Sequence, residues 1–144
     1  MARIKINLPE NFTFATNIPI RVSDINYGGH LGNDALLSIL HEARLHYLQQ
    51  LGYTELRFGA NALIMADAAI EYKGEGFMGD VLTIQIAPAD FTKYGFDLIY
   101  RVTNQDQKAV AFAKTGMLCF NYDTRKLAAL PAEARQKMEP GILP

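Results

Sequence analysis

Ser23-Asp24-Ile25-Asn26-Tyr27-Gly28-Gly29-His30-Leu31-Gly32-Asn33-Asp34 is the stretch from which the architecture is read. It packs acidic and carboxamide side chains, three glycines and a histidine into one loop. A periodic run follows at once. Leu36, Leu40, Ala43, Tyr47 and Leu51 recur at steps of three and four, which places them on one face of a helix. Arg44, His46, Gln49 and Gln50 read as lying off that stripe. Asn33 or Asp34 is expected to cap the start, and Gly52 stands where a left-handed residue closes a helix. The spacing predicts a helix over about 34–51.

Working outward, the period becomes two. Ile18, Ile20 and Val22 alternate with polar or turn residues, as do Ala68, Ile70 and Tyr72, and Leu82, Ile84 and Ile86. Phe96, Leu98, Tyr100 and Val102 form a half-buried pattern, and the run from Ala109 to Tyr122 is apolar on both faces in its middle, as a central strand requires. Strands are predicted over about 16–23, 63–73, 80–90, 94–104 and 108–123, with a short helix over about 131–138. The connections are short, which implies antiparallel neighbours. The class is therefore α+β, one domain over residues 1–144, with one long apolar helix buried against an antiparallel sheet.

Composition narrows the function. The chain is 49% hydrophobic and 20% charged, enough apolar surface for a core. Fourteen Lys and Arg against fifteen Asp and Glu, with no basic run, argue against nucleic acid as a partner. The single cysteine, Cys119, excludes an internal disulfide framework and a Cys-rich zinc site. No apolar leader and no stretch of about 18 apolar residues are visible, so the expectation is a cytoplasmic domain without a membrane span.

Several motifs resolve into ordinary structure. Gly74-Glu75-Gly76-Phe77-Met78-Gly79 fits a glycine-rich nucleotide loop, but a strand pattern follows it where a helix would be needed. His41 and His46 are five apart, which turns them away from a shared metal. No metal ligand set is assigned. The loop before the long helix is the candidate site. A helix N-terminus offers unpaired N–H groups and a positive dipole end to a developing oxyanion. Asp24, His30 and the carboxamides of Asn26 and Asn33 are placed to hold water or take a proton. The same residues also suit a loop held by side-chain caps, and the sequence leaves both readings open.

Arg21, Asp24, Gly29, His30 and Asn33, the helix triplet Glu42-Ala43-Arg44, Ile70-Glu71-Tyr72 leading to Gly79-Asp80, and Tyr94-Gly95-Phe96 occur in an order that resembles the 4-hydroxybenzoyl-CoA thioesterase-like branch of the hotdog-fold superfamily. That resemblance implies an antiparallel sheet of five or six strands wrapped around one long central helix. It implies hydrolysis of an acyl-CoA or acyl-carrier-protein thioester, with no cofactor beyond the coenzyme A moiety of the substrate. It also implies a homodimer or homotetramer with the substrate at the interface, and oxyanion donors from backbone near Asn33 and Asp34. Lys73, Lys93, Tyr94 and Gly95 are the expected contacts of the pantetheine and nucleotide.

The sequence departs from the family pattern at one position. Many members use a carboxylate where this chain has Asn26, and an amide is neither a base nor a nucleophile at neutral pH. Three readings follow: Asn26 positions while Asp24 or His30 is the base; another carboxylate such as Asp34, Glu42 or Asp67 takes the role; or the chain binds acyl thioesters without hydrolysing them. A hotdog hydratase or dehydratase is the remaining alternative.

Overall fold

The computed structural model describes residues 3–139. Strand β1 (Phe14–Pro19) leads through a loop to helix α1 (Asn33–Gln50). Strands β2 (Ala62–Tyr72), β3 (Val81–Ala89), β4 (Gly95–Thr103) and β5 (Ala109–Asn121) follow, then the short β6 (Lys126–Leu127) and helix α2 (Ala132–Met138). The strands form one six-stranded antiparallel sheet in the order β1-β3-β4-β5-β2, with β6 paired to β5. β1 and β2 are the edges.

The core is the helix face pressed on the sheet. Leu36, Ile39, Leu40, Ala43, Tyr47 and Leu48 of α1 meet Leu82, Ile84 and Ile86 of β3 and Leu98, Tyr100 and Val102 of β4. Each fully buried Leu or Ile there contributes about 1.5–3 kcal/mol. α2 adds Ala134 and Met138 to the same cluster.

Three local details differ from the sequence expectation. The first strand stops at Pro19, and Val22–Asp24 wind into a 3-10 turn. The Asp24 carboxylate turns the chain there by accepting the backbone N–H of Arg21 at 2.9 Å. The cap of α1 is Gly32, with no side-chain cap bond, because Asn33 already belongs to the helix. Arg44 lies on the buried face, not off it, for it continues the Leu36–Leu40 row by four residues. Gly52, at φ 88°, takes the left-handed conformation that ends α1.

Gly95 opens β4 beside β5 so closely that a Cβ there would run into the Met117 carbonyl. It pairs with Leu118, and its smallness is what brings the two strands together. In β2 the register slips between Met65 and Asp67, where the Asp67 carboxylate accepts the Gly116 N–H at 3.0 Å.

Candidate functional site

The loop from β1 to α1 is closed by its own polar groups. Asn26 Oδ1 accepts the backbone N–H of Gly28 at 2.9 Å and of His30 at 3.2 Å. The Asn26 N–H donates to the His30 carbonyl at 2.8 Å, and Gly29 N–H to the Asn26 carbonyl at 3.0 Å. Asn26 is therefore the capping residue of this turn. Its Oδ1 is committed, and among the described residues its Nδ2 makes no hydrogen bond.

The loop is then stitched to the segment after β2. Leu31 N–H donates to the Gly76 carbonyl at 2.8 Å, and His30 forms a bridge with Phe77 whose rings lie 5.0 Å apart. This contact builds a cavity of about 260 Å³ lined by Asn26, His30, Asn33, Leu36, Tyr72 and Glu75, among others. Tyr72 closes one rim by donating its hydroxyl to the Asn33 carbonyl at 3.4 Å.

His30 and Glu75 form the titratable pair of this cavity. Nδ1 of His30 is 3.4 Å from Glu75 Oε2, close enough for charge attraction. The direction is poor for a hydrogen bond, so Nδ1 is enclosed without a donor–acceptor partner. The Glu75 side chain is 68% exposed. The His30 side chain is 37% exposed, and since Nδ1 is enclosed the exposure belongs to the rest of the ring.

The start of α1 supplies donors. Gly32 N–H is spent on the Asp24 carbonyl, while the N–H groups of Asn33, Asp34 and Ala35 have no partner among the described residues. Asn33 lines the cavity, so an unpaired helix N-terminus and an imidazole share one space.

The other expected residues are distributed as follows. Asp24 is buried behind the loop, its carboxylate held by the Arg21 backbone and guanidinium, and it does not line the cavity. Asp34 is exposed on the first turn of α1. Lys73 adjoins the cavity through its neighbours Tyr72 and Gly74, and pairs with Glu71 at 3.2 Å. Lys93, Tyr94 and Gly95 sit elsewhere. Gly95 pairs with Leu118 whereas Tyr72 pairs with Ala111, which separates them by about 23 Å along β5 at the usual strand rise. Within one chain these three do not join the site. Of the alternative carboxylates, Asp67 is held by the bulge and Glu42 faces His46 at 3.7 Å.

Glu75 was not among the residues singled out from the sequence. Its loop reads as a simple turn, and only the bridge between His30 and Phe77, far apart in sequence, brings it to the site. His41 and His46 point to separate partners, Glu55 at 2.6 Å and Thr16 Oγ1 at 2.8 Å.

A hotdog sheet wrapped on one helix, with a polar cavity at the helix N-terminus, defines the class. The chain belongs to the thioesterase-like superfamily, whose pattern it matches over residues 20–138. A 1,4-dihydroxy-2-naphthoyl-CoA hydrolase of Synechococcus elongatus is 32% identical over 116 residues, covering 78% of this chain and 85% of the relative. A probable thioesterase of Escherichia coli superposes with a TM-score of 0.75 at 25% identity, covering 88% of this chain and 97% of that one. A hypothetical protein of Staphylococcus aureus, solved in complex with CoA, superposes with a TM-score of 0.80 at 18% identity, over 96% of this chain and 92% of its own. No helix among the described residues is long and apolar enough to cross a membrane.

Proposed function

We propose that this protein is an acyl-CoA thioesterase whose base is His30, oriented by Glu75. The observation that carries the reading is the shared cavity: Asn33, whose N–H is unpaired at the start of α1, and the His30–Glu75 pair border the same space. The thioester carbonyl oxygen is placed at the helix N-terminus, where the Asn33 N–H polarises it. In the scheme Glu75 turns to accept the Nδ1–H of His30, leaving Nε2 to take a proton from water as that water attacks the carbonyl carbon. The tetrahedral intermediate then expels the CoA thiolate, and His30 returns the proton to it. Asn26 fixes the loop and offers Nδ2 to the substrate or the water. The scheme needs no cofactor beyond the CoA of the substrate.

Asp24 is not the base in this scheme, because its carboxylate is bound to Arg21 away from the cavity. We place the working unit as a homodimer or a tetramer of such pairs. Edge strand β2 leaves Met65 and Tyr72 exposed, and the exposed Leu37 of α1 borders the same cavity as Met65, an apolar patch suited to a second copy. Lys93, Tyr94 and Gly95 reach a CoA in the described cavity only from that second copy.

The test is release of free CoA from a panel of acyl-CoA and acyl-carrier-protein thioesters, with light scattering of the same preparation. Turnover that falls by about 10²–10⁴-fold in His30→Ala supports the scheme. Saturable acyl-CoA binding without hydrolysis, or hydration of enoyl-CoA in place of hydrolysis, overturns it. A monomer at micromolar concentration overturns the oligomer.

A further inference from the structure

Two rows of side chains run along α1, Asn33–Leu37–His41 and Leu36–Leu40–Arg44, each member one turn beyond the last. Asn33 and Leu36 line the cavity of the site. Leu37, Leu40, His41 and Arg44 line a second cavity of about 430 Å³, which Met65 and Thr115 complete from the sheet. The two cavities thus lie one after the other along the same side of α1, the second a larger open groove whose lining mixes Leu37, Leu40 and Met65 with Arg44, Glu55 and Thr115.

Arg44 sets the chemistry of that groove. It is 5% exposed, and its guanidinium carries five N–H donors. Nε donates to Glu55 Oε2 at 3.1 Å, and Nη1 to the Tyr100 hydroxyl at 3.3 Å. That hydroxyl is itself bonded to Thr115 Oγ1 at 2.7 Å. The other oxygen of Glu55 is taken by His41 Nε2 at 2.6 Å. Nη2 finds no acceptor among the described residues. Arg44 is one of the residues that line the cavity. Burial opposes the charge of Arg44, but the Tyr100 and Glu55 partners outweigh it and raise the pKa, so the donors stay fully charged. A charged donor left without a partner is stabilised when an oxygen acceptor arrives.

We infer that this second cavity receives the far end of the acyl group and selects chains that end in an oxygen, as hydroxyl or carboxylate, over chains that end in methyl. The inference rests on the thioesterase reading for the direction of the chain. Asn33 to Arg44 spans about 16 Å of helix at about 1.5 Å per residue. An extended chain of about 1.5 Å bonds advances about 1.25 Å per carbon, so acyl groups of about 12–14 carbons fit the span. Glu55 lines the same cavity and offsets the charge of Arg44, so the terminal oxygen is read as a hydrogen-bond acceptor and not by its charge.

The experiment compares matched chains of that length ending in methyl, hydroxyl or carboxylate. Affinity is measured with non-hydrolysable CoA thioethers, and kcat/KM with the thioesters. The expected result is a preference of about 10-fold or more for the oxygen-ended chains in both readouts. Arg44→Met should bring the ratio to about one. Leu37→Phe narrows the groove, leaves the Arg44 bonds in place, and should move the preference to shorter chains, with light scattering checking that the assembly is unchanged because Leu37 also lies on the patch assigned to the second copy. It keeps the idea testable if Arg44→Met does not fold. Equal affinity for all three ends in the wild type, a preference that survives Arg44→Met, or no binding of any of them overturns the inference. Preference in binding without hydrolysis overturns the thioesterase reading alone, whereas hydrolysis without end-group preference overturns this inference alone.

Discussion

The loop before α1 and the strand pair β3–β4 are held together in opposite ways. In the loop, order comes from short polar links: Asn26 to Gly28 and His30, and Asp24 to Arg21. Its residues 26–29 are exposed, so truncating a side chain there leaves no cavity. In the strand pair, Leu82, Ile84, Ile86, Leu98, Tyr100 and Val102 are inaccessible to solvent, and order comes from packing. The contrast teaches where chemistry can be placed. Groups that must meet water and substrate sit where polar links, not packing, fix the backbone.

Removing one side chain from each region should therefore separate activity from stability. The largest effect is expected from His30→Ala, which should lower kcat/KM by about 10²–10⁴-fold while urea unfolding changes by less than about 1 kcal/mol. A loss of stability equal to that of a core truncation would show that the loop is structural and end the contrast.

Leu98→Ala should do the reverse, costing about 2–5 kcal/mol in urea unfolding, with the folded fraction turning over near the wild-type rate. If its stability is unchanged, the strand pair is not the packed half of the comparison.

Asn26 gives a sharper, smaller test within the loop. Asn26→Ala removes the acceptor of two N–H groups and should cost about 0.5–2 kcal/mol, in the range of a lost cap. Asn26→Asp keeps an oxygen there and should hold stability within about 0.5 kcal/mol, with kcat/KM changed by less than about 10-fold. A gain of about 10²-fold or more would show that the chain lacks a base and would displace His30 from that role.

The smallest effect belongs to the packed side. Burial pushes the Cys119 thiol up to about 11. The folded protein holds that proton more tightly than the unfolded chain does. The stability gained from this is full below the unfolded pKa and is lost as pH rises towards 11. Alkylation at pH 8 should accordingly follow unfolding, and an immediate reaction in buffer would show that the strand opens locally.

Periodicity made the helix and the central strands legible, because burial on one face demands it. The first strand was overrun, since Val22 continues the alternation of Ile18 and Ile20 while Asp24 turns the chain. Arg44 was misplaced because charge hides a stripe position, although Leu36, Leu40 and Arg44 keep perfect helical spacing. In the site, Asn26, His30 and Asn33 were legible because one loop carries them. Glu75 was not, since only the pairing of His30 with Phe77 brings it near. Lys93, Tyr94 and Gly95 carry a local motif whose distance from the loop depends on strand register, which no short stretch encodes.

The double acceptor role of Asn26 has a consequence for descent. An amide oxygen and a carboxylate oxygen take the same two N–H groups, so a lineage can exchange Asn and Asp at this position in one mutational step without disturbing the fold. The turn itself can therefore accept either residue, which leaves the choice between them open to the demands of turnover.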